Sequence, residues 1–242
     1  MTLIVSWLDH WQTLAGSLMG GLMGVIGALI VASMAVRRQR WVMASALLPD
    51  THQLMAAHDA LERALRAIDP PLGRWAQPQW RAERLRQLRP LVSVLHDSVT
   101  VTQLSDLDAR LSAHLMHCQM RHKDLETLLQ QFDDALNGSR APMPQANVRG
   151  AMAVVQRSAD RVQQAWYLCV EHATLTAYFM DRLVFNPRPN VWHRLRMRWW
   201  PNELDRRSAH LLKTGTILGK QTQHVAAAET LADSLSQTSD HE

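Results

Sequence analysis

Residues 14 to 36 (LAGSLMGGLMGVIGALIVASMAV) are apolar apart from Ser17 and Ser33, with no charge and no proline among them. A helix rises about 1.5 Å per residue, so this stretch is long enough to cross a hydrocarbon core of about 30 Å. The surface helix of a soluble domain keeps a polar face, and this segment has none. It predicts one transmembrane helix. Within it Gly16, Gly20, Gly24, Ala28 and Ala32 recur every four residues, and Gly21 and Gly27 widen the band. Positions four apart share a helix face, and stripes of small residues let helix backbones approach closely in lipid. The stripe therefore predicts transmembrane packing against a second copy or a different membrane protein.

Downstream, apolar positions fall three and four apart with polar residues between them, as in helices that bury one face. Pro49-Asp50-Thr51 reads as a helix start, with Asp50 or Thr51 as N-cap, followed by about 18 residues of helix to Ile68. Asp69-Pro70-Pro71-Leu72-Gly73 breaks it. An irregular stretch with Trp75, Pro78 and Trp80 follows, and a helix restarts over Arg81 to Leu88. The longest pattern then runs through Leu88, Val92, Leu95, Val99 and Thr102, and on through Leu104, Leu107, Leu111, Leu115, Cys118, His122, Leu125, Leu129, Phe132 and Leu136. Asn137-Gly138 suits a C-cap, and residues 139–147, with two prolines, read as a loop. A second long pattern passes through Met152, Val155, Ala159, Val162, Trp166, Cys169 or Val170, Ala173, Ala177, Met180 and Val184, and Asn186-Pro187-Arg188-Pro189 ends it.

Two long helices with a short connection lie antiparallel. Residues 91–187 thus predict an antiparallel helical hairpin reaching roughly 60–70 Å. Glu203 to about Leu218 predicts one more helix. Beyond Gly219 the chain is rich in Gln, Thr, Ser and Ala; residues 225–235 read as weakly helical and the end as disordered. The fold class is all-α: one N-terminal transmembrane helix, then a cytoplasmic helical body built around the hairpin. The divisions are a short external N-terminus (1–13), the span (14–36), a basic membrane-proximal linker with short helices (37–90), the hairpin (91–187), a basic Trp-rich interfacial segment (188–200), and a C-terminal helix and tail (201–242).

Charge adds a direction to this outline. The net charge is only +4, but Arg37 to Pro90 holds ten arginines against five acidic residues, and Leu91 to Arg140 holds four bases against seven acids. Arg188 to Lys213 turns basic again, with seven bases against two acids. Apart from a histidine, Asp9 is the only charged side chain ahead of the apolar run, and Arg37, Arg38 and Arg40 follow it. The positive-inside rule then predicts a single-pass protein of the cytoplasmic (inner) membrane, N-terminus outside and body inside. A cleaved signal peptide needs a basic n-region, which is missing here, although Ser33-Met34-Ala35 has a small-x-small spacing.

Trp7 and Trp11 would mark the outer interface and Trp41 the inner one. A hairpin that leaves near residue 90, turns near 140 and returns near 187 would bring both basic segments to the membrane. The segment VWHRLRMRWW suits an anionic leaflet. The expected membrane-surface residues are therefore Arg37, Arg38, Arg40, Trp41, Trp192, Arg194, Arg196, Arg198, Trp199 and Trp200. The plainer alternative is that these tryptophans fill the core and the arginines are solvated. Basic and aromatic residues together also suit single-stranded nucleic acid, but no nucleic-acid module accompanies them, and nucleic acid is not an expected partner.

No enzyme signature is present, and no catalytic residue is assigned. Gly215 to Thr222 resembles a phosphate loop, but only three residues separate Gly215 from Gly219, and Gln221 stands where Ser or Thr is needed. Asp133-Asp134 reads as a solvated face. One cluster has ligand chemistry: His114, Cys118 and His122 lie four apart on one face, with His117, Met116 and Met120 beside them. In an antiparallel hairpin, positions summing to about 285 face each other. That pairs Cys118 with Cys169 and His114 with His172, a donor set suited to zinc or copper. Against it, Cys118 falls on the apolar seam, where a free cysteine behaves as a small hydrophobe. Helical spacing also arises by chance among twelve histidines. The expectation is no cofactor, with zinc or copper at His114, Cys118, Cys169 and His172 as a minor alternative and a histidine-based pH response as another. The two cysteines are expected as free thiols.

The function expected is that of a non-enzymatic membrane-anchored assembly or interaction protein, a homo-oligomer or a subunit of a larger membrane complex. Its partners would be the bilayer with its anionic headgroups and other membrane-protein subunits. The alternatives are an oligomerising membrane sensor or effector that alters permeability in defence or stress, and a metal or redox module in the hairpin.

Overall fold

A computed structural model of the chain describes residues 2–73, 75–88, 98–140, 145–186 and 190–217. Among the described residues every regular element is helical and no strand occurs. The elements are α1 (Thr2–Arg66), α2 (Ala76–Leu88), α3 (Ser98–Ser105), α4 (Ala109–Arg140), α5 (Gln145–Met180, continued by a π-helical turn over Asp181–Phe185), α6 (Asn190–Trp199) and α7 (Glu203–Thr214). Two compact units form, Met1–Met43 and Ala44–Glu242.

The first unit is helix alone. It contains the apolar stretch, which is long and apolar enough to cross a membrane, with a mean hydropathy of 2.1 over its best window. Residues 1–13, expected as a short external N-terminus, are helical from Thr2 as part of α1.

In the second unit, the expected helix start at Pro49-Asp50-Thr51 is corrected: α1 continues through Pro49 to Arg66, so 37–66 is one helix and not a linker. Proline lacks the N–H for the carbonyl four residues back, which costs about 3 kcal/mol in a helix interior. That cost is outweighed on the opposite side of the helix. Ala44, Leu47, Thr51, Leu54 and Leu61 are buried, while Pro49 itself is exposed. Each fully buried leucine contributes about 1.5–3 kcal/mol, and three of them exceed the proline penalty. Asp50 and Thr51 do not cap a helix; both are buried, and the Thr51 hydroxyl donates to the Leu48 carbonyl at 2.8 Å.

Other boundaries also move. α2 starts at Ala76, ahead of the expected Arg81, because Pro78 falls in its first turn, where no intrahelical N–H is needed. The first arm of the expected hairpin is not one helix. It breaks at Asp106–Asp108, where the Asp108 carboxylate accepts the Arg110 N–H at 2.9 Å and starts α4 afresh. The part of that arm over residues 89–97 lies outside the described residues. Among the described side chains of α3, Val101 and Leu104 are buried and Thr102 is exposed, while that of Val99 lies outside them; Leu88 and Met152 are exposed too. Asn137-Gly138 is not a cap, since α4 runs on to Arg140, and α5 begins inside the expected loop at Gln145. α7 ends earlier than expected, at Thr214. Gly215 caps it in the left-handed region at φ 69°, and its N–H donates to the Leu211 carbonyl. Pro187–Pro189 and the tail from 218 onward lie outside the described residues.

α4 and α5 pack side by side with their chains running in opposite directions: His114 meets His172, and Cys118 meets Cys169. From Ala165 to Met180, however, α5 is buried on nearly every face. Tyr167 reaches back to Glu62 of α1, donating its hydroxyl at 3.1 Å. Leu168 and Leu175 close on Leu211 of α7. Arg81 of α2 joins the Glu62 carboxylate at 3.0 Å. Burial works to raise the Glu62 pKa, but the Arg81 guanidinium and the Tyr167 hydroxyl outweigh it and hold the carboxyl below its usual range. α5 is thus the centre of the second unit, with α1, α2, α4 and α7 around it.

Candidate functional site

Three places in the molecule carry features that a folded core does not require. The first is the apolar part of α1. Gly16, Gly20, Gly24, Ala28 and Ala32 are all exposed, as are the large residues between them: Leu18, Met19, Leu22, Met23, Leu29 and Val31. A Cβ added at Gly16, Gly20, Gly21, Gly24 or Gly27 would meet nothing within 4 Å. No contact among the described residues accounts for these glycines. Arg37, Arg38 and Trp41 at the end of this stretch are exposed, and Arg40 is half-buried.

The second is a buried polar cluster between α4, α5 and α7. His114 Nδ1 lies 3.0 Å from His172 Nδ1, and His114 Nε2 lies 2.7 Å from the Ser208 hydroxyl of α7. His117 stacks on His172 at 5.1 Å between ring centroids, and Phe179 stacks on His114 at 5.8 Å. Burial, with the neighbouring His117 and Arg110, lowers the His114 pKa to about 4. Burial, with His114, His117 and Arg121, lowers that of His172 to about 3. Both rings are therefore neutral at ordinary pH, and one supplies its Nδ1–H to the other.

One helical turn along, the Cys118 thiol donates to the Cys169 carbonyl at 3.8 Å. A hydrogen bond with the Cys169 side chain and complete burial push the Cys118 pKa well up, so the thiol keeps its proton. Both cysteines are free and buried. The four expected ligands are therefore neighbours in two pairs and do not converge on one point. Among the described residues, no group of three or more His, Cys, Asp or Glu side chains is placed to hold a metal ion. Sequence reasoning missed Ser208, which comes from a helix outside the two long patterns. It also read Asp133 as solvated, whereas Asp133 accepts from Arg86 of α2 at 2.6 Å.

α7 is fastened over this cluster by charge. Arg207 binds Glu171 of α5, and the buried Asp205 accepts from Arg182 and from the Tyr178 hydroxyl, each at 3.1 Å. Asp205 also completes a capping box with Asn202 at the start of α7.

The third place is α6. His193 and Met197, four apart, form its buried side. Trp192, Trp199 and Trp200 remain 57, 64 and 70% exposed, with Leu195, Arg196 and Arg198 exposed beside them. The side chain of Arg194 lies outside the described residues. The only tryptophan fully buried among the described residues is Trp166 on α5.

Comparison with family models, curated proteins and solved structures returns no match for this chain.

Proposed function

We propose that this chain is a non-enzymatic, membrane-anchored assembly protein. Its apolar α1 segment crosses a cytoplasmic membrane once, N-terminus outside, and packs through its small-residue stripe against a partner helix. The observation that carries this reading is that the apolar stretch of α1 is entirely unburied, while the second unit has a full core of its own. An uncovered apolar surface of that length needs lipid or protein around it. A glycine inside a water-exposed helix costs about 1 kcal/mol relative to alanine. Four glycines from 20 to 27 with no neighbour among the described residues are therefore explained by close approach of another helix. The orientation rests on Arg37, Arg38 and Arg40 following the span.

The test is Gly20→Leu with Gly24→Leu. The double variant is expected to insert normally, yet to lose the homo-oligomer or co-purifying subunits seen for the unaltered chain after mild detergent extraction. An assembly of unchanged mass would overturn the reading.

A further inference from the structure

Where α4 begins, α6 ends and α7 begins, the body has an open cleft of about 500 Å³, lined by Asp108, Arg110, Arg198, Asp205 and Arg206 with Met197 among them. The two carboxylates are engaged within the fold. Asp205 is buried against Arg182, Tyr178 and the Asn202 N–H, and Asp108 caps the start of α4. The three guanidinium groups are not. Ion pairs among the described residues draw on Arg81, Arg86, Arg121, Arg182 and Arg207, and none draws on Arg110, Arg198 or Arg206. Arg198 and Arg206 are exposed and Arg110 is half-buried. Arg110 also sits in the first turn of the 32-residue α4, whose positive dipole end adds to the field of the cleft.

Unpaired arginines from three helices facing one cleft suit a phosphate-bearing anion, which guanidinium groups grip by paired hydrogen bonds. The neighbours of the cleft narrow the source of that phosphate. Trp199 and Trp200 directly follow Arg198 in the chain and are both strongly exposed. A site for a small soluble anion has no use for exposed indoles at its rim, whereas the boundary between headgroups and acyl chains is where tryptophan gathers.

We propose that this cleft holds the phosphate of an anionic phospholipid headgroup, bound by Arg110, Arg198 and Arg206, with Trp199 and Trp200 in the interfacial layer beside it. The inference rests on the membrane-anchored reading only for the supply of lipid. It does not involve the glycine stripe, so loss of assembly and loss of lipid binding are separate results.

The experiment is native mass spectrometry of the full chain from neutral detergent micelles, doped with dioctanoyl phosphatidylglycerol or with dioctanoyl phosphatidylcholine. The unaltered chain is expected to retain phosphatidylglycerol in preference. Arg198→Gln with Arg206→Gln should lower its occupancy roughly fivefold for each arginine removed, with the helical circular dichroism unchanged. Arg198→Lys with Arg206→Lys should bind between the unaltered chain and the Gln variant, since the charge remains while the paired hydrogen bonds are lost. Arg157→Gln with Arg161→Gln, which removes the same charge from an exposed part of α5, should leave this binding in place. Equal retention of the two lipids, or no loss in the double Gln variant, would overturn the proposal. So would full displacement of the lipid by excess inorganic phosphate, which would make the ligand a soluble anion.

Discussion

His114 and His172 can meet nitrogen to nitrogen at 3.0 Å only while at least one ring is neutral and offers a lone pair. His117, Arg110 and Arg121 face them and disfavour charge on either ring, while the Ser208 hydroxyl and the Phe179 ring are neutral neighbours. Both folded pKa values lie below the ordinary 6.5, near 4 and 3, so over that interval the unfolded chain binds protons that the folded chain refuses. The contribution to stability is complete above 6.5 and is lost as pH falls towards 4 and then 3, by about 1.4 kcal/mol per pH unit for each group. The urea midpoint of the full chain in neutral detergent, followed by circular dichroism, is expected to drop across that window. His114→Leu with His172→Leu should flatten the drop, and a midpoint insensitive to acid in the unaltered chain would show that the pair accepts charge. The contact itself was legible in the sequence, because helical spacing and opposite chain direction bring 114 to 172 and 118 to 169. Ser208 was not legible, because nothing in a local pattern says which helix closes over the pair.

At the scale of elements, Pro49 shows burial overriding a local signal. Ala44, Leu47, Thr51, Leu54, His58 and Leu61 alternate by threes and fours straight across the proline, and this seam is what the body grips. His58 packs its ring on Tyr167 at 5.5 Å between centroids, and Leu47 and Leu54 are fully buried. Pro49→Ala is therefore expected to raise stability, by up to about 3 kcal/mol, read as a higher urea midpoint. A lower midpoint would mean that the proline sets a bend the body needs. The opposite case is Asp108, a local signal that did win. Its side chain caps α4 strongly enough to divide what the apolar spacing alone drew as one long helix. Spacing reports which face is buried, while caps and breaks are set by single side chains that spacing does not weigh.

For the whole molecule, the division after Met43 separates a helix with no core of its own from a body with a complete one. Residues 44–242 are expected to fold without the first 43, giving a helical, cooperatively unfolding protein by circular dichroism and calorimetry. A fragment that unfolds gradually would mean that the body depends on the missing segment. Its centre is α5, and the sequence did carry a hint of this: from Ala165 to Met180 the only acidic or basic residue apart from His172 is Glu171. A helix with so little charge is buried on more than one side, which a two-helix hairpin does not provide.

Composition and periodicity alone determined that the chain is helical, that one N-terminal stretch is long and apolar enough to cross a membrane, and which face of α4 turns inward. Those properties are local: they follow from residue type and from a repeat of three or four positions. Only the tertiary structure decided that α5 is enclosed by four helices, that Arg207 and Asp205 lock α7 over the histidine pair, and that arginines from α4, α6 and α7 line one cleft. Those contacts join residues up to 105 positions apart in the chain, as Glu62 and Tyr167 are. Pairing over such separations is chosen by how whole helices fit together, which no window along the sequence contains.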